Sequence, residues 1–164
     1  MAGKIERKYL AHYIDVAFDS SNAQYVRLGK DLETYAEELN PQVEVRKNIL
    51  GEQSVTHNGY EVQSSVEPFY CYEGDPLFTQ LAKIVNQRLT GDDCKTTRIE
   101  ALLYSNGTTQ WAYREDCVVV PQSMGGDTSG MQIPFQVLNC GNRTAGTWTI
   151  SNGEGTFTPT QSGT

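Results

Sequence analysis

The stretch Asp75–Gly91, DPLFTQLAKIVNQRLTG, with the two segments after it, Arg98–Tyr104 (RIEALLY) and Thr108–Val120 (TTQWAYREDCVVV), decides the fold class. Asp75 stands where an N-cap belongs, Pro76 at the first helical position and Gly91 just past Leu89, which together spell a helix start and stop. Leu77, Phe78, Leu81, Ile84, Val85 and Leu89 recur at helical spacing as one apolar stripe, while Gln80, Lys83, Gln87 and Arg88 fall on the opposite side. The two following segments carry strand-forming residues on either side of Asn106-Gly107, a hairpin-turn dipeptide. One amphipathic helix set against β-hairpins predicts a mainly β protein with a flanking helix.

Working outward, the residues before the helix continue the β reading. Ile14, Val16 and Phe18 alternate with Tyr13, Asp15 and Ala17, so a strand is expected from Tyr13, with a turn at Asp19–Asn22 and a second strand over Gln24–Leu28. Leu32, Tyr35, Ala36 and Leu39 then fall at helical spacing, which predicts a short second helix from Asp31 to Leu39, stopped by Asn40-Pro41. Val43 and Val45 restart the alternation, Lys47–Gly59 reads as a polar loop, and Tyr60–Tyr70 reads as a strand whose Pro68 marks an edge or bulge. Beyond the hairpin come a Gly-rich loop, Pro121–Gly130, a strand over Met131–Asn139 and a last short strand over Thr147–Ile150.

The total is roughly seven or eight strands and two helices, fitting a β-sandwich or partly closed barrel with a flanking helix. Residues 1–12 mix charges with scattered apolar residues and read as an N-terminal arm. Residues 13–151 form the sandwich domain. Residues 152–164 are Gly, Thr, Pro and Ser with one Phe and read as a loose C-terminal tail.

The chain of 164 residues carries 13 Lys and Arg against 20 Asp and Glu, a formal charge of −7. Such a surface repels a phosphate backbone, which argues against a nucleic-acid reader. No run approaches the ~18–20 apolar residues of a membrane span, and the start, Met-Ala-Gly-Lys-Ile-Glu-Arg-Lys, lacks the apolar centre of a signal peptide, so synthesis in the cytoplasm is expected.

No constellation points to catalysis. His12 and His57 have no carboxylate at a telling spacing, and the carboxylate pairs Glu37-Glu38 and Asp92-Asp93 read as solvated. A dyad of His with Cys71 or Cys117 is a story that any chain with four cysteines permits. The cysteines, at 71, 94, 117 and 140, form no CxxC pair and read as buried free thiols. The loop Met124–Gly130 lacks the Lys-Ser/Thr ending of a phosphate-binding loop. No catalytic, cofactor-binding or metal-ligating residue is therefore expected, and no cofactor. Trp111 and Trp148 read as core or interface anchors, with stacking platforms for a sugar as the other reading.

The order of several weak motifs carries a resemblance. The run Tyr25-Val26-Arg27-Leu28-Gly29-Lys30-Asp31-Leu32-Glu33, then Glu37-Glu38-Leu39-Asn40-Pro41, Lys47-Asn48-Ile49-Leu50-Gly51-Glu52 and Gly59-Tyr60-Glu61-Val62, followed by the Asp75-Pro76 helix, resembles the major tail (tail tube) proteins of tailed bacteriophages over roughly residues 13–150. The resemblance implies a β-sandwich or half-barrel subunit whose sheets close into an inner β-barrel on hexamer formation. It implies no enzyme but a virion tail protein, made in the bacterial host cytoplasm, with rings stacking into a tube through which DNA leaves.

The implied partners are other copies of the chain and tail proteins such as the tape measure, tail tip and terminator, with DNA passing unbound. The implied inter-subunit or inter-ring loop comprises Asn48, Ile49, Leu50, Gly51, Glu52, Gln53, Ser54, Val55, Thr56, His57, Asn58 and Gly59. In a tube that conducts DNA without gripping it, some of Glu61, Glu67, Glu100 and Glu115 are expected to face the lumen. A tail terminator or head-tail joining ring protein, and a monomeric carbohydrate- or receptor-binding β-sandwich, are the competing readings.

Overall fold

A computed structural model describes residues 3–106, 108–151 and 154–160. The chain runs through β1 (Leu10–Asp15), β2 (Tyr25–Leu28), β3 (Glu37–Glu38), β4 (Pro41–Lys47), β5 (Gln53–Tyr60), β6 (Gln63–Val66), α1 (Pro76–Gln87), β7 (Lys95–Leu103), β8 (Thr109–Pro121), β9 (Gly125–Asp127), β10 (Gly130–Gln132), β11 (Phe135–Ser151) and β12 (Glu154–Pro159). Antiparallel pairing joins β2, β1, β7, β8, β11, β6 and β3, in that order, into one large sheet, with β12 on the far half of β11. Two hairpins, β4–β5 and β9–β10, stand as separate two-stranded sheets. The fold is mainly β with one α-helix among the described residues, and the large sheet is open, ending at β2 and β3.

Period-two alternation sorts the side chains of the large sheet into two cores. On one face Ile14, Leu28, Val66, Cys117, Val119, Phe135 and Val137 pack with Leu77 and Leu81 of α1. On the other face Ala11, Tyr13, Ile99, Ala101 and Ala112 pack under Trp148, with Tyr25 and Phe157 at the margin. The far half of β11 and β12 thus supply a second cover, and β1 is buried on both faces from Ala11 to Asp15.

The helix over Pro76–Gln87 forms as its caps predict. The Asp75 carboxylate accepts from the Leu77 N–H at 3.0 Å. The stop comes at Arg88 rather than Gly91: Arg88 takes the left-handed conformation at φ 53°. Gly91, at φ 63°, instead opens a 3-10 turn over Gly91–Cys94.

The structure corrects six other expectations. Asp31–Leu39 is not a helix. Gly29 at φ 145° and Asp31 at φ 64° turn the chain aside, Tyr35 is drawn into side-chain contacts with the sheet, and Glu37–Glu38 pair with β6. Tertiary contacts here outweigh a weak periodicity. The first strand opens at Leu10, inside the stretch read as an arm. The Lys47–Gly59 loop is largely strand, because Gln53–Tyr60 pairs along β4. The Gly-rich loop folds into β9–β10, and the two strands expected near 131–150 run together as β11, which absorbs register shifts between Asn139 and Thr144. Residues 154–159, read as loose tail, form β12. Gly107 of the expected Asn106-Gly107 turn lies outside the described residues; Asn106 accepts from the Thr108 N–H at 3.0 Å.

Candidate assembly surfaces and a buried ionic cluster

The residues expected to form an inter-subunit loop stand on the β4–β5 hairpin and its turn. All of β4, and all of β5 except the half-buried Gly59, is exposed. Cross-strand register puts Val43 opposite His57 and Val45 opposite Val55, so these four share one face, while Glu44, Arg46, Ser54 and Thr56 share the other. The apolar residues of this hairpin, Val43, Val45 and Val55, are therefore offered to solvent. A lone two-stranded hairpin is marginal in water, and this one carries an apolar face left exposed among the described residues.

The turn at the hairpin tip is held firmly. The Asn48 side chain accepts from the Leu50 N–H at 2.9 Å and the Glu52 N–H at 3.0 Å, and donates to the Glu52 carboxylate at 2.8 Å. Gly51, at φ 82°, supplies the left-handed residue that the turn needs. The result is an ordered turn that leaves Ile49 fully exposed (103 %) and Leu50 nearly so (76 %).

The four acids expected to line a lumen do not share one environment. Glu61 and Glu67 are exposed at either end of β6. Glu115 is mostly covered and pairs with Arg143 at 3.0 Å. Glu100 is only 4 % exposed, and its carboxylate is spent on buried partners, so it is no lumen-facing group in this subunit.

Those partners form a cluster that sequence reading missed. The register His12↔Glu100 and Ile14↔Arg98 brings His12, Glu100 and Arg98 onto one sheet face. His12 is 5 % and Arg98 2 % exposed. The Glu100 carboxylate lies against the His12 Nδ1 and ion-pairs with the Arg98 guanidinium. Arg98 also donates to Ser64 Oγ at 2.9 Å, Asn139 Oδ1 at 3.1 Å and the Tyr35 hydroxyl at 2.9 Å. Arg7 reaches the His12 Nε2 at 2.8 Å and donates to the Tyr35 carbonyl at 2.9 Å, tying the N-terminal segment to the cluster. Asn139 in turn donates to Glu37 at 3.0 Å.

The electrostatics follow from burial set against pairing. Burial works to raise the Glu100 carboxyl, but the His12 hydrogen bond and the Arg98 charge outweigh it and hold Glu100 below its ordinary value. For Arg98 burial opposes the charge, and Glu100 more than offsets it, so the guanidinium is held above its usual range. Glu37 shows the opposite balance: burial, then the Glu100 charge, pushes it up.

His12 meets Glu100, Arg7 and the edge of the Tyr35 ring, and no Ser, Thr or Cys nucleophile, so the cluster is an ionic tie between strands. Cys117 is the reverse of an activated thiol, because burial pushes it up to about 12. Cys94 is also buried, as expected, whereas Cys71 is half-buried and Cys140 exposed, which corrects the reading of all four as buried. Among the described residues no group of three His, Cys, Asp or Glu side chains is placed to hold a metal ion. His57 is exposed against the edge of Tyr60. Trp148 is a core anchor, whereas Trp111 is 39 % exposed beside Tyr113.

No protein-family model and no curated protein matches this chain. Its fold is shared with solved structures of contractile injection systems. The anti-feeding prophage cap, a tube-terminating cap, gives a TM-score of 0.54 at 10 % identity over 90 % of this chain and 93 % of that one. The PVC sheath/tube terminator of an extracellular contractile injection system gives 0.53 at 9 % identity over 88 % and 98 %. The PVC sheath-tube complex gives 0.52 at 10 % identity over 88 % and 92 %. They are a tube-terminating cap, a sheath/tube terminator and a part of a sheath-tube complex.

Proposed function

We propose that this chain is a structural subunit of a phage-type tail tube, forming hexameric rings that stack around a lumen through which DNA leaves. The β4–β5 hairpin carries this reading: a separate exposed two-stranded sheet, with an apolar face and an ordered aliphatic tip, attached to a fold found in tube and terminator assemblies. A subunit gains nothing alone from such a hairpin. In a ring or stack the face is covered.

The partners are copies of itself and the tape measure, tail tip and terminator; the place of action is the virion tail. Glu61 and Glu67 are the exposed acids left for a lumen that passes DNA without holding it. One observation favours a second reading, a terminator ring: two of the three solved structures are a terminating cap and a sheath/tube terminator.

Sedimentation velocity over a concentration series tests both. Ring-sized species in exchange with long polymers are expected for a tube subunit. A ring that never grows supports the terminator, and a monomer at every concentration, with or without tail-tip seeds, contradicts both.

A further inference from the structure

The Ile49-Leu50 tip has a counterpart elsewhere on the same chain. A groove of about 600 Å³ lies between the C-terminal end of α1 and the end of β8. Val85, Leu89, Val118, Val120 and Met124 give it an apolar lining, and Val120 and Met124 are exposed in the subunit. Its mouth carries Arg88, which makes no ion pair among the described residues.

We infer that this groove is the seat of the Asn48–Glu52 turn of a second copy, with Ile49 and Leu50 inserted and Glu52 facing Arg88. The inference rests on the tail-assembly reading above and names the surface that would receive the tip. Three observations converge on it. The tip offers the most exposed large apolar side chain among the described residues, and the groove is an apolar recess deep enough to take side chains.

The charges are opposite in sign: Glu52 closes the tip, and Arg88 lines the groove without an ion pair among the described residues. The Asn48 hydrogen bonds pre-form the turn, so little conformational freedom is lost when it docks. A tip on one surface and its seat on another make a heterologous contact, the kind that propagates from copy to copy into rings or stacks.

The test places a photo-crosslinking amino acid at Leu50 in the full-length protein and mixes isotopically light and heavy copies. The expected product joins a light to a heavy chain at a peptide containing Val120–Met124 or Val85–Leu89. Leu50→Asp and Met124→Asp, both at exposed positions, are expected to leave the melting temperature unchanged and to raise the critical concentration for assembly about tenfold or more. Glu52→Lys and Arg88→Glu should each weaken assembly, and the double variant should restore it. Wild-type assembly with crosslinks elsewhere, or with no rescue by the double variant, overturns this seat while leaving the tail reading standing. Failure of the wild-type protein to assemble under any condition overturns the tail reading, and the seat with it.

Discussion

At Glu100 burial and ion pairing act in opposite directions, and pairing wins. Its folded-state carboxyl therefore lies below the ordinary value of 4.5, so its stabilisation is complete above that value and is lost as the pH falls through the depressed folded-state value. Glu100→Gln should flatten the acid limb of a stability–pH curve measured by urea unfolding. Arg98→Met leaves Glu100 buried without its guanidinium and should cost about 3–5 kcal/mol at pH 7. Glu37 gives the opposite sign, since burial raises it: its carboxylate opposes folding above the raised value. Glu37→Gln, which keeps an acceptor for Asn139, should stabilise the protein at pH 7 and be neutral once Glu37 is protonated. His12 belonged to this cluster and was illegible from sequence, because only the register of β1 on β7 brings it to Glu100.

Among the elements, α1 and the β7–β8 hairpin were legible because their signals are local: an Asp-Pro start, an apolar stripe, a turn dipeptide. Asp75→Ala removes the cap from the Leu77 N–H and should cost about 1 kcal/mol in thermal unfolding. The predicted helix at 31–39 failed because Tyr35 finds better partners in Arg98 and His12 than a helix would give it. β12 was hidden because its Gly, Thr and Pro residues look like linker, whereas Gly155 sits where a Cβ would run into the Trp148 ring. Gly155→Ala should therefore cost about 1–3 kcal/mol through overpacking, read by the loss of Trp148 burial in its fluorescence and by a lower melting temperature. Lys47–Gly59, which holds most of β5, reads as a loop because its residues are mostly polar and exposed on both faces. A strand signal needs a buried face, and this one is without it in the subunit.

For the whole molecule, the mainly β class and flanking helix came through from sequence, whereas the proposed assembly segment was indicated only by its position. The segment Asn48–Gly59 was singled out by its place in an ordered series of motifs; the ordered turn at its start and the groove between α1 and β8 required coordinates. The charge of −7 was legible but did not tell surface acids from structural ones, and Glu100 proved to be structural.

The central claim is self-assembly into a tube, and negative-stain electron microscopy of the purified full-length protein over a concentration series, with and without tail-tip seeds, tests it most directly. The account predicts hollow tubes or stacked rings of uniform width. Isolated monomers at every concentration, seeded or not, would contradict it.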